Sequence, residues 1–62
     1  NESTAPAYYL NAIIGARNNN ENTAITNLKK AIIENSSYKK EAAKDLEFRN
    51  YFNNPSFQQL IN

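Results

Sequence analysis

Apolar residues recur along this chain at helical rather than strand spacing. Between positions 24 and 32 they fall at i, i+1, i+4, i+7 and i+8, which forms one stripe along a helix. Polar residues occupy the opposite side of that stretch, so we predict an amphipathic helix over Glu21–Glu34. Proline stands only at positions 6 and 55, and no alternating β-branched run with turn residues is present. The pattern therefore predicts an all-α chain.

The amino-terminal segment predicts a helix over 6–18 that is apolar on most of its sides. Thr4 or Ala5 would precede it, and Pro6 suits the first turn, where a missing N–H costs nothing. On a helical projection the apolar positions cover well over half of the circumference; they are Ala7, Tyr8, Tyr9, Leu10, Ala12, Ile13, Ile14 and Ala16. One partner helix cannot cover so wide a surface, so we expect neighbours on more than one side.

Asparagines mark the end of this first helix. The run at 18–20 predicts a turn, because Asn tolerates the left-handed backbone conformation found just past helix ends. Asn20 is then expected to cap the second helix by accepting a hydrogen bond from an early backbone N–H. A turn this short between two helices predicts an antiparallel hairpin.

Helical spacing resumes after residue 35. Ser36 or Ser37 is expected to cap a third helix, in which Tyr38, Ala42 and Leu46 share one face.

Two further caps are expected near the carboxyl-terminal end of the sequence. Asp45 should cap a short turn, and Asn54 followed by Pro55 should open a last helix. The apolar residues of this region are expected to face the core; they are Phe48, Tyr51, Phe52, Phe57, Leu60 and Ile61.

Composition narrows the possible chemistry. The chain has 62 residues, no Cys and no His, which excludes disulfides, the commonest zinc sites and His- or Cys-based catalytic pairs. Its net charge of +1 comes from interspersed acidic and basic residues without a basic stripe, and no apolar run approaches the ~20 residues of a membrane span. We therefore expect a protein that is not an enzyme, with no cofactor, no nucleic-acid partner and no membrane insertion. Missing cysteine fits the cytoplasm and a bacterial envelope equally.

The hairpin between Ala7 and Tyr38 resembles a tetratricopeptide repeat, a helix–turn–helix unit of about 34 residues. The resemblance is carried by small and large residues at the spacing of that repeat, namely Tyr8, Ala12, Ala24, Leu28 and Ala31. Four positions depart from the repeat. Asn11 stands where the repeat has Leu, and Gly15 where it has an aromatic residue. Asn19 stands in place of Gly, and Ser36 in place of Pro.

The end of the chain resembles the segment that follows the last repeat in many bacterial tetratricopeptide proteins. In that segment an Asp-Pro-x-Phe turn is followed nine residues later by an Asp-Pro-x-Phe helix. The corresponding positions here hold Asp45, Phe48, Asn54, Pro55 and Phe57. Leu46 stands in place of the first Pro and Asn54 in place of the second Asp. The resemblance implies a leader over 1–5, a repeat-like hairpin over 6–35 and capping helices over 36–62, as the last unit of a longer array.

The resemblance also implies a function. Repeats of this family bind proteins along a concave surface lined by the first helix of each repeat. The corresponding residues here are Tyr9, Leu10, Ile13, Ala16 and Arg17. We expect a non-catalytic interaction module that prefers apolar or aromatic groups of a protein or peptide. The alternative is a purely structural cap, or a segment for self-association, without a ligand of its own.

Overall fold

The computed structural model describes residues 4–62, and all regular structure in that range is helical. The elements are α1 (Thr4–Arg17), α2 (Glu21–Glu34), α3 (Tyr38–Lys44), a 3₁₀ helix (Leu46–Tyr51) and α4 (Pro55–Ile61). Helices α1 and α2 pack as an antiparallel hairpin, and the shorter elements lie against it. The predicted all-α hairpin with short following helices is confirmed.

The first helix begins earlier than predicted. It starts at Thr4 rather than Pro6, so two residues of the expected leader over 1–5 belong to the helix, and residues 1–3 lie outside the described part of the chain. Ala5 is fully buried, and Pro6 fits within the first turn because it needs no hydrogen bond there.

The turn between α1 and α2 follows the prediction. Asn19 has a φ of 58°, the left-handed conformation expected just past a helix end. The Oδ1 atom of Asn20 accepts a hydrogen bond from the backbone N–H of Thr23 at 3.2 Å, which caps α2. The two asparagines thus reverse the chain and start the next helix.

Small residues bring the two long helices close together. Ala12, Ala24 and Ala31 are buried at the contact. A Cβ atom added to Gly15 would lie 2.7 Å from the backbone nitrogen of Ala24, inside any normal contact distance. The glycine is therefore required by the close approach of α1 to the first turns of α2.

Caps also position the later elements, with one correction. Asn54 accepts hydrogen bonds from the backbone N–H groups of Ser56 and Phe57, as predicted. Ser37 occupies the cap position of α3 but its side chain makes no capping bond. Instead the Oδ1 atom of Asn35 accepts from both the backbone N–H and the hydroxyl of Ser37, at 3.0 and 2.8 Å. The side chain that shapes this turn is therefore that of Asn35.

An aromatic cluster closes one side of the hairpin. Phe48 and Phe57 are fully buried, with ring centroids 5.6 Å apart, and Phe52 lies 5.9 Å from Phe57. Tyr9 of α1 stacks on Tyr38 at 4.7 Å and meets Phe48 edge-on at 5.7 Å. The predicted burial of the terminal aromatic residues is confirmed.

The prediction for Leu46 is wrong. It was expected to share a buried face with Tyr38 and Ala42, but its side chain is 68% exposed. Helix α3 ends at Lys44, and Asp45 adopts an extended conformation with φ −83° and ψ 119°. The helical spacing therefore breaks before it reaches Leu46.

Candidate protein-binding surface

The five predicted contact residues of α1 do not lie on one surface. Tyr9, at 8% exposure, and Ala16 belong to the hydrophobic core. Ile13 is partly buried against that core, whereas Leu10 and Arg17 are exposed. The side chains of Tyr9 and Ala16 are therefore covered mainly by the core of the chain itself.

Tyr9 joins α1 to the capping elements. Its hydroxyl donates a 2.6 Å hydrogen bond to the Oδ2 atom of Asp45, while the Oδ1 atom of Asp45 caps the 3₁₀ helix by accepting from the backbone N–H of Glu47. Burial, reinforced by this hydrogen bond, raises the pKa of Tyr9 far above its ordinary value. The Asp45 carboxylate thus bonds both to the backbone of its own turn and to the first helix. Tyr9 therefore has a structural role, connecting α1 to the capping elements.

Arg17 makes a second link between α1 and the 3₁₀ helix. Its Nε and Nη2 atoms donate to the two carboxylate oxygens of Glu47 at 2.9 and 2.7 Å. The hydrogen bond from Arg17 lowers the pKa of Glu47. Both groups are at the surface, where such a pair contributes little to stability. The pair nevertheless fixes the guanidinium against the cap and directs it away from the amino-terminal part of α1.

An apolar strip remains open along the opposite side of α1. Leu10 is 57% exposed and Ile14 is 47% exposed, one turn apart on the helix, and Ala7 next to them is also exposed. We call these three residues the outer α1 face. The prediction included Leu10 but not Ile14. Other apolar residues of α1 share their i, i+4 spacing, so the sequence carries no signal that singles out this pair.

The corresponding surface of α2 is polar. Thr26, Lys29 and Lys30 are exposed there, and Ile33 is the large apolar residue among them, at 73% exposure. The ammonium group of Lys30 lies 5.5 Å from the ring centroid of Tyr8, a cation–π distance. The two long helices therefore differ: α2 presents charges to solvent, whereas α1 presents aliphatic side chains.

Two shallow depressions lie on the surface of the described residues. One of about 250 Å³ lies between the end of α1 and the 3₁₀ helix, beside Arg17, Glu47 and Arg49. The other, about 330 Å³, lies where Ile25 meets Ser56 near the start of α4. Neither contains a nucleophile hydrogen-bonded to a base, the arrangement that covalent catalysis needs.

Two further features concern metals and membranes. Among residues 4–62, no group of three or more acidic side chains is placed to hold a metal ion. In the same range no helix has the length and apolarity needed to cross a membrane.

Comparison of the chain with protein-family models, with curated proteins and with solved structures found no match.

Proposed function

We propose that this chain is a non-catalytic protein-interaction module in which the outer α1 face binds an apolar surface of another protein unit. One observation carries the proposal: α1 has two apolar faces, of which the aromatic cluster covers only one. The second face presents Leu10 and Ile14 to solvent at neighbouring positions. Adjacent exposed aliphatic side chains of this kind mark interaction surfaces more often than isolated ones do.

Covering the two large side chains of this face makes a modest favourable contribution to the free energy of binding. Covering a half-exposed Leu or Ile side chain contributes on the order of 1 kcal/mol at ~25 cal/mol per Å². Two such side chains, with Ala7 allowing close backbone approach, supply the centre of a helix-on-helix contact. Of the five residues expected from the sequence, the proposed surface contains Leu10, with Ile13 at its border.

The proposed place of the module is the end of a stack of helices, as the resemblance to tetratricopeptide repeats implies. In such a stack each unit buries one face against its predecessor, and the last unit needs a cover on its other face. The aromatic cluster around Phe48 and Phe57 supplies that cover, and the outer α1 face is available to the preceding unit.

A second candidate function is a structural cap without a ligand of its own. It is favoured by the hydrogen bonds that join α1 to the capping region, from Tyr9 to Asp45 and from Arg17 to Glu47, since they attach the cover to its own hairpin. Under this alternative, the outer α1 face contacts only its own array. The two candidates share the fold and differ in whether the surface accepts a separate protein.

Binding to an array of amphipathic helical peptides tests the proposal. We expect the chain to retain peptides with an uncharged aliphatic face, and Leu10→Glu to abolish this binding. Ile33→Glu is the matched control, because it introduces the same charge at another exposed aliphatic residue, on the polar side of α2. Tyr9→Ala is unsuitable, since loss of this buried ring would disturb folding. Retention of the same peptides by Leu10→Glu would refute the proposal, as would equal loss in both variants.

A further inference from the structure

The turn between α2 and α3 carries a triplet that the proposed function does not use. Its sequence is Asn35-Ser36-Ser37, the Asn-x-Ser pattern of acceptors for N-linked glycosylation, in which x is any residue except proline. All three residues are exposed, and none of them belongs to the hydrophobic core. A large polar substituent attached at this surface turn therefore displaces no buried side chain.

The hydrogen bonds of the turn leave the acceptor atom of Asn35 available. Its Oδ1 atom accepts from the backbone N–H of Ser37 at 3.0 Å and from the Ser37 hydroxyl at 2.8 Å. The Nδ2 atom of Asn35 makes no hydrogen bond within the described part of the chain. Asn27 differs, because its Nδ2 atom donates to the carbonyl of Thr23 at 2.9 Å. A sugar on Nδ2 of Asn35 would therefore leave both hydrogen bonds of the turn in place.

A second triplet shows the difference between a turn with the acceptor pattern and one without it. Asn54-Pro55-Ser56 has proline at its middle position, which excludes it as an acceptor. The Oδ1 atom of Asn54 accepts from the backbone N–H groups of Ser56 and Phe57, and not from the Ser56 hydroxyl. Of these two turns, the one at Asn35 brings the hydroxyl at the third position of the triplet onto the asparagine amide.

We propose that Asn35 is an acceptor for N-linked glycosylation by an oligosaccharyltransferase, with a lipid diphosphate-linked oligosaccharide as the donor. In this transfer Nδ2 forms a bond to the anomeric carbon of the first sugar, while the bond from that carbon to the diphosphate oxygen breaks. The electron pair leaves with the lipid diphosphate, and one Nδ2 proton passes to a base of the transferase. The hydrogen bonds from Ser37 into Oδ1 assist the loss of this proton, because they stabilise negative charge on the amide.

Incubation of the folded chain with an oligosaccharyltransferase and a lipid-linked oligosaccharide tests the proposal. A synthetic Asn-x-Thr peptide in the same reaction checks that the enzyme is active. Trypsin cleaves after Lys30 and Lys39, so Asn35 is released in a different peptide from the matching triplet at positions 1–3. We expect peptide N-glycosidase F in heavy-oxygen water to convert Asn35 to labelled aspartate. Modification of the control peptide without modification of Asn35 would overturn the proposal.

Substitutions at Ser37 test the role of its hydroxyl. Ser37→Ala keeps Asn35 and should lose the modification, whereas Ser37→Thr restores a hydroxyl and should retain it. Ser37 is exposed and outside the core, and circular dichroism checks that the helices are intact in both variants. Undiminished modification of Ser37→Ala would overturn the assigned role of the hydroxyl.

Two further measurements test the structural part of the inference. The folded chain should be modified at least as fast as the isolated peptide 31–39, because the turn already holds the Ser37 hydroxyl against the amide. The modified chain should unfold at the same urea concentration as the unmodified one, because the turn keeps its hydrogen bonds. Modification of the isolated peptide alone, or unfolding of the chain on modification, would refute the inference and leave the proposed interaction function untouched.

Discussion

Replacing the single glycine by alanine should destabilise this protein, although the same change inside a helix usually has the opposite effect. Alanine in an exposed helix interior is favoured over glycine by about 0.5–1 kcal/mol, because glycine loses more backbone freedom on folding. At Gly15 the added Cβ would lie 2.7 Å from the nitrogen and 3.1 Å from the Cα of Ala24, and 3.0 Å from the Cγ2 of Thr23. The ordinary separation for such contacts is about 3.5–4.0 Å.

The nearest obstacle is backbone, so no side-chain rotation can relieve it. The nitrogen of Ala24 also donates to the carbonyl of Asn20 at 3.0 Å, within the first turn of α2. Relief therefore requires the two helices to separate or the turn to shift. Overpacking of this kind costs typically 1–3 kcal/mol, which exceeds the helix-propensity gain. We expect a net loss of about 1–2 kcal/mol for Gly15→Ala.

Urea unfolding followed by circular dichroism at ~10 µM chain measures this effect. The control is Asn11→Ala, an exposed position of the same helix, where alanine should raise the free energy of unfolding by several tenths of a kcal/mol. Gly15→Ala combined with Thr23→Ser removes the methyl contact but keeps the backbone conflict, so it should remain less stable than the unaltered chain. A Gly15→Ala variant as stable as the original, or more stable, would refute the close-approach argument.

Three further predictions concern the capping region, each measured by denaturant unfolding. Phe57→Ala removes a fully buried ring and should cost ~3–5 kcal/mol, enough to unfold so small a chain; a loss below ~1 kcal/mol would contradict its central place. Asn54→Ala removes the cap of α4 and should cost ~1 kcal/mol, whereas Asn54→Asp should largely keep it. Folding raises the pKa of Tyr9, so the contribution of its neutral hydroxyl to the free energy of unfolding is present below the unfolded pKa of ~10 and is lost as the pH rises above it. Tyr9→Phe should flatten this alkaline decline in stability. An unchanged slope in Tyr9→Phe would argue against the role of the buried hydroxyl.

The sequence predicts helix limits and caps correctly where these depend on residues close together in the chain. The limits of α2 were predicted from a single apolar stripe and the Asn20 cap, since a helix end depends on neighbouring residues. The burial of Phe48 and Phe57 followed from their spacing. Leu46 was misplaced because the helical spacing was extended through Asp45, whose extended backbone ends the helix.

The binding surface was harder to predict because it depends on distant pairs. Tyr9 bonds to Asp45 across 36 positions of sequence, and Arg17 bonds to Glu47 across 30. No periodicity in the sequence indicates which side of an apolar helix such contacts will cover. Once the capping elements occupy the side of α1 that carries Tyr9, the exposed side becomes that of Leu10 and Ile14.

The use of asparagine side chains at the turns affects the chemical ageing of this protein. Asparagine deamidates when the backbone nitrogen of the next residue attacks the side-chain carbonyl, and Asn54 is shielded because Pro55 has no N–H for that attack. Asn20 lacks this shield: attack by the nitrogen of Glu21 releases ammonia and forms a succinimide, which water opens mainly to isoaspartate, with an extra methylene in the backbone at the start of α2. The start of α4 should therefore outlast the start of α2 as side-chain amides are slowly lost.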